Sequence, residues 1–161
     1  MINSITLGNL MATPLPSLYQ QKRCTFRPSL SEVHEIYDLL NKSIYKNKLI
    51  RPEIQLGQRR QCWGMCIGYA RYRDTNSRCV IKLTDKWYCV QWLVIVLAHE
   101  MAHQYQWDVI SPKRVKQGKA DLISHGPTFF QHRTKLKKAG IPLKTAHRTR
   151  KWFTHQDVHR C

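Results

Sequence analysis

Apolar residues recur at helical spacing in three stretches of this chain and alternate with small or polar ones in three others. Val33, Ile36, Tyr37, Leu40 and Ile44 are spaced three or four apart, which puts them on one helix face. Ser29 or Ser31 can cap the start, with Glu32 and Glu35 in the first turn, and the helix is expected to end near Asn47. Three extended segments follow. Glu53–Gln58, after Pro52, puts Ile54 and Leu56 on one face. Across Gln61–Tyr72, Trp63, Met65, Ile67 and Tyr69 alternate with Gly64, Cys66, Gly68 and Ala70. A polar turn from Arg73 to Ser77 leads into Arg78–Leu83, so the last two segments read as an antiparallel pair.

Thr84 or Asp85 can cap a long helix reaching about Trp107. Its middle, Val90–Ala98, is apolar almost all round, which predicts burial. A loop is expected from Asp108 to Ser124. A last helix should start at Pro127, carry Phe129, Phe130, Leu136 and Ala139, and stop at Gly140 before Pro142. Met1–Thr25, with Pro14 and Pro16, reads as an irregular arm, and the chain past Gly140 reads as a basic tail. The pattern therefore divides the chain into an arm (1–28), a domain (29–141) and a tail (142–161). The domain is α+β, with a small antiparallel or mixed sheet packed on the long helix.

At 161 residues the chain is long enough to bury a core without disulfides. It has no run of 18 apolar residues, so no membrane span or membrane partner is expected. The first cationic side chain is Lys22, so no secretory leader is read. An intracellular setting follows, the cytoplasm of a bacterium or of a viral host, with the six cysteines as thiols. Net charge changes the picture more. It is +17, and the excess is uneven. From Lys113 onward 13 basic residues face two acidic ones, against 14 and eight in the preceding 112 residues. Such a field draws polyanions, nucleic acid first among them.

The candidate chemistry lies in His99-Glu100-Met101-Ala102-His103. Histidines four apart share one helix face, so both imidazoles can reach one ion, and nitrogen ligands suit zinc. Glu100 sits about 100° further round the helix, where it can take a proton from water at the metal. With eight His and four Glu in 161 residues, this pattern arises by chance in about 1% of such chains. Two histidines and a glutamate entering a buried helix also need partners, since desolvation would otherwise cost several kcal/mol.

A catalytic zinc site takes three protein ligands and keeps one open position. His125, ahead of Gly126 and Pro127, is the best third ligand, with Asp108 and Asp121 as weaker alternatives. His132, His147, His155 and His159 read as solvated, and a second site at His155, His159 and Cys161 is disfavoured at a chain end. Cys66, Cys79 and Cys89 read as core thiols. Tyr105 and Trp107 pack in the core or line the cleft.

The motif from His99 to His103, the 21-residue spacer, and His125-Gly126-Pro127 with Phe129 resemble the SprT-like zinc metalloprotease family, of the Spartan type. Upstream, Cys62-Trp63-Gly64-Met65-Cys66-Ile67-Gly68-Tyr69 is similar to the family's glycine-containing strand, and Cys79–Leu83 to the strand before its metal helix. The likeness runs from about Ser29 to Gly140. It implies a zincin-like fold, zinc on His99, His103 and His125, and Glu100 as the catalytic residue. It also implies DNA-bound or DNA-crosslinked proteins as substrates. Many members carry a zinc ribbon of paired cysteines after the domain, where this tail has only Cys161, so DNA binding through a ribbon does not carry over.

Other cations must then meet DNA, expected to be single-stranded or partly unpaired. The candidates are Lys113, Arg114, Lys116 and Lys119 in the loop, and Arg148, Arg150 and Lys151 beside Trp152 in the tail. The expected function is a monomeric, DNA-associated zinc metalloendopeptidase acting on protein substrates. The alternative is a zinc-containing DNA-binding module with negligible proteolysis.

Overall fold

A computed structural model describes residues 6–12, 24–59, 62–68, 75–119 and 122–145. The first long helix, α2 (Leu30–Leu40), starts at Ser29. The Ser29 hydroxyl accepts from the Glu32 N–H at 3.2 Å, and Glu32 reaches back to the Ser29 N–H at 2.7 Å. This capping box satisfies two orphan donors and holds the Glu32 carboxyl below the usual carboxylate range. The helix buries Val33, Ile36, Tyr37 and Leu40. Its continuation Asn41–Tyr45 widens into a π turn and closes on left-handed Lys46.

The sheet has three strands in the order β1 (Glu53–Gly57), β3 (Cys79–Thr84), β2 (Gly64–Gly68). β2 and β3 are antiparallel, as the alternation predicts. β1 runs parallel to β3, so the sheet is mixed. Its register aligns Ile54, Ile81 and Cys66, and likewise Leu56, Leu83 and Gly64. That face meets α3 (Val90–Tyr105), the long buried helix. Close approach is possible because β2 presents small residues there. A Cβ on Gly64 would lie 2.9 Å from Val96 and 3.1 Å from Glu100, and one on Gly68 would lie 2.1 Å from the Trp107 ring.

Several boundaries differ from the sequence reading. α3 begins at Val90, not after Thr84 or Asp85. Thr84 stays in β3 and donates to the Trp63 carbonyl at 2.9 Å. Asp85 pairs with Arg27 at 3.3 Å. Trp87 makes a two-bond bridge with Phe26. A non-helical connection with an isolated bridge at Trp87 therefore runs to Cys89, and Trp63 gathers Trp87, Tyr88 and Trp92 at 5.5–5.7 Å. The expected loop after Asp108 is largely helical: a π turn at Gln106–Ile110 and then α4 (Ser111–Lys116). Pro112 lies in the first turn of α4, where its missing N–H costs nothing. Left-handed Gly118 ends the helix, with Lys119 N–H bonded to Arg114 O.

The last helix is shorter than expected. Residues from Ser124 form tight turns, Phe130–His132 is a 3₁₀ turn, and only α5 (Arg133–Lys138) is α-helical. It ends as predicted at Gly140, φ 78°, with Ile141 N–H on Leu136 O. The arm is not wholly irregular. Leu7–Ala12 forms α1, Leu7 is buried, and Gln91 of α3 donates to the Leu10 carbonyl at 3.3 Å.

One buried polar network ties α2, β3 and α3 together. The Tyr37 hydroxyl donates to Gln104 at 2.9 Å. Gln104 donates to the Ile50 carbonyl at 2.7 Å and to Asp108 at 2.9 Å. Asp108 also accepts from the Ser77 hydroxyl and the Arg78 N–H, both at 2.7 Å. Burial pushes the Tyr37 phenol well above its ordinary value, so it remains a neutral donor. Among the described residues, no helix is long and apolar enough to cross a membrane.

The two glycine environments make a stability test. Gly68→Ala should destabilise by about 1–3 kcal/mol, since Trp107 would have to move. Gly57→Ala, with nothing within 4 Å of its Cβ position, should stay within about 0.5 kcal/mol of wild type. Chemical denaturation of both variants measures the contrast.

Candidate metal centre

His99 and His103 lie four residues apart on α3 and stack one turn above the other, ring centroids 5.0 Å apart. His125 comes from the turn ahead of the 3₁₀ segment. Its ring centroid lies 5.3 Å from that of His99 and 4.8 Å from that of His103. The Nε2 atoms of His99 and His125 are 3.4 Å apart. One nitrogen from each of the three rings falls within 4.8 Å of the others. Two ligands at about 2.0–2.1 Å from a tetrahedral zinc stand about 3.3 Å from each other, so the His99–His125 edge fits such an ion. Three imidazoles with no acidic ligand also match zinc's preferences.

Gly126 makes the corner that carries His125. Its N–H bonds the Ile123 carbonyl at 3.1 Å, and a Cβ there would lie 2.8 Å from Ile123. Only glycine fits so tight a turn without displacement. Beneath the site, the fully buried ring of Phe129 touches all three histidines, at 4.9 Å from His99, 4.6 Å from His103 and 4.8 Å from His125. Glu100 is buried, with its stem against Gly64 of β2.

The other candidates resolve differently. Asp108 is committed to Ser77, Arg78 and Gln104 and does not join the histidines. Asp121, His147, His155, His159 and Cys161 lie outside the described residues. His132 is not the solvated residue expected. It is half-buried, edge-on to Tyr45 at 4.7 Å and to Tyr105 at 4.6 Å. Burial, with Lys135 and Lys48 nearby, pulls its pKa below the ordinary histidine value. Tyr105 belongs to this core cluster, and Trp107 covers Gly68. The five described cysteines are free thiols. Burial, with Cys79 alongside, pushes the Cys66 thiol well up, which suits packing and not nucleophilic attack. Of the cations, Lys113, Lys116 and Lys119 are exposed and Arg114 is half-buried. Arg148, Arg150, Lys151 and Trp152 lie outside the described residues.

The SprT-like family matches residues 33–147, a span that contains all three histidines and Glu100. The chain belongs to the SprT-like family. No curated protein matches it. Within this SprT-like domain, the sequence reading missed two polar side chains around the histidines, Gln106 and Thr128. The signal for Gln106 was its position three residues after His103, on the same helix face. Thr128 carried no comparable signal, because its partner is 22 residues away.

Phe129→Ala should cost about 3–5 kcal/mol of stability, as large-to-small changes of a buried aromatic do. It should also weaken metal binding, since all three rings lose their common support. Thermal unfolding with and without added zinc checks both effects.

Proposed function

We propose that the protein is a zinc-dependent metalloendopeptidase that hydrolyses peptide bonds in proteins bound or crosslinked to DNA, working as a monomer inside the cell. The observation that carries the hydrolytic part is the convergence of His99, His103 and His125, with Glu100 buried next to His99 on the same helix. Zinc, when bound, supplies Lewis acidity toward a carbonyl and acidifies water at the site. The chain's own residues do the rest. His99, His103 and His125 would hold the ion beside Glu100. Glu100 takes a proton from the attacking water onto its carboxylate and passes it to the leaving amine nitrogen. Hydroxide is thereby added to the carbonyl carbon, a proton is added to nitrogen, and the C–N bond breaks. Strand β2 behind Glu100 leaves the carboxylate stem little room to swing away.

The DNA part rests on charge and position. The net charge is +17. The helix α4, with exposed Lys113 and Lys116, follows α3 through a single π turn. Lys119 lies just past its end, on the chain leading to His125. In this reading these cations hold a single-stranded or partly unpaired strand. Arg148, Arg150, Lys151 and Trp152 support the same reading through their chemistry alone.

Glu100→Gln separates catalysis from binding. The variant should retain one equivalent of zinc and its DNA affinity, while cleavage of a DNA-bound protein falls by about 10²–10⁴-fold. Undiminished cleavage would remove Glu100 as the base. A wild type that binds zinc and DNA but cleaves nothing would favour the DNA-binding module without proteolysis.

Affinity for a single-stranded oligonucleotide should fall with salt. Four phosphate contacts, one for each cation from Lys113 to Lys119, give a log–log slope of about −3, or about fifty-fold between 50 and 200 mM. Replacing Lys113, Lys116 and Lys119 by Ala should reduce the slope by about 2. A flat salt response would exclude DNA as the partner.

A further inference from the structure

We propose that Gln106 is a positioning residue that sets the tautomer of His103 and clamps the turn carrying His125, so that one amide aligns two of the three metal-facing rings. This rests on the metal reading above. Gln106 follows α3 directly, three residues after His103, and is buried. Its Nε2 donates to the Ile123 carbonyl at 3.0 Å and bonds the Thr128 hydroxyl at 2.9 Å. Its Oε1 lies 3.1 Å from His103 Nδ1.

These partners fix the orientation of the amide. A backbone carbonyl only accepts, so the atom facing Ile123 must be the NH₂. The atom facing His103 is then the carbonyl oxygen, which has no proton to give. His103 Nδ1 must therefore carry a hydrogen and donate it, and in a neutral imidazole that leaves the Nε2 lone pair free for a metal. The other end of the same amide grips positions 123 and 128, one on each side of His125. Both protons of the NH₂ and the carbonyl oxygen are used, and a flip would turn an oxygen toward the Ile123 carbonyl and lose that bond. Sequence-distant ligands are thus tied through a single side chain at the junction of α3 and its π turn.

Three measurements decide this. In metal-free wild type at mildly alkaline pH, two-dimensional ¹⁵N NMR should show His103 as the Nδ1–H tautomer. An Nε2–H tautomer would overturn the proposal without recourse to any variant. Gln106→Leu, which keeps the shape but not the hydrogen bonds, should weaken zinc binding by about 10–100-fold in a chelator competition and shift the His103 tautomer population. Unchanged affinity with an unchanged tautomer would overturn the proposal. Gln106→Glu splits the two functions. Its carboxylate can still accept from His103 Nδ1 but faces the Ile123 carbonyl without a proton. It should keep the tautomer and speed amide hydrogen exchange across residues 123–128. Wild type that binds no zinc at all would instead overturn the metal reading, a result separable from any failure confined to the Gln106 variants.

Discussion

Carrying two histidines and a glutamate into the interior on a helix buried almost all round is the constraint the rest of this molecule answers. Of the 16 residues of α3, only Val90 and His103 are not fully buried. Such a helix gains its stability from apolar burial along Trp92–Ala98 and could not carry unpartnered charge through its last two turns without losing several kcal/mol. The fold compensates from three sides. Strand β2 comes close through its glycines and confines Glu100. The turn at Gly126 brings a third imidazole to the other two. Phe129 fills the space beneath, giving the three rings an apolar floor. The same low-polarity surroundings that make the groups costly to bury strengthen every electrostatic interaction made among them.

The polar side chains at the end of α3 divide this work. Gln104 and Gln106 are two apart and so face different directions. Gln104 joins Tyr37, Ile50 and Asp108, holding the scaffold of α2 and β3. Gln106 joins His103, Ile123 and Thr128, at the candidate centre. Both amides have partners at both ends, as buried amides must.

The sequence made legible what depends on local period and spacing. Val33 to Leu40 declared α2, and Cys79 to Leu83 declared β3. The pair at His99 and His103 declared a shared helix face, and the Gly126-Pro127 corner made His125 the leading third ligand over Asp108. What was not legible depended on partners far along the chain. Thr84 and Asp85 look like helix caps locally, but Trp63 holds Thr84 in β3 and Asp85 pairs with Arg27. His132 looks solvated among Lys and Arg, yet Tyr45, 87 residues earlier, covers it. Asp108, the weaker alternative ligand, has its oxygens taken by Ser77 and Arg78, about thirty residues earlier. A π turn has no sequence period of its own, so the continuation of α3 into α4 read as loop.

That last difference bears on the cations between the second and third histidine. In a loop they would be scattered; on α4, Lys113 and Lys116 are three apart and share a face. A structural explanation accounts for part of this. Cations in a final helical turn are favoured by the exposed carbonyls there, and Lys113, Arg114 and Lys116 all qualify. The explanation has a limit, however. The dipole effect fades within one turn, and Lys119 lies beyond the Gly118 cap. The same effect covers Lys135, Lys137 and Lys138 in the last turn of α5, but not Arg133 at its start. Three like charges on six residues also repel one another, which offsets much of the gain at the carbonyls. A helix terminus therefore explains why these cations are tolerated on α4, but not why the chain carries so many, and the surplus is what the proposed polyanionic partner would neutralise.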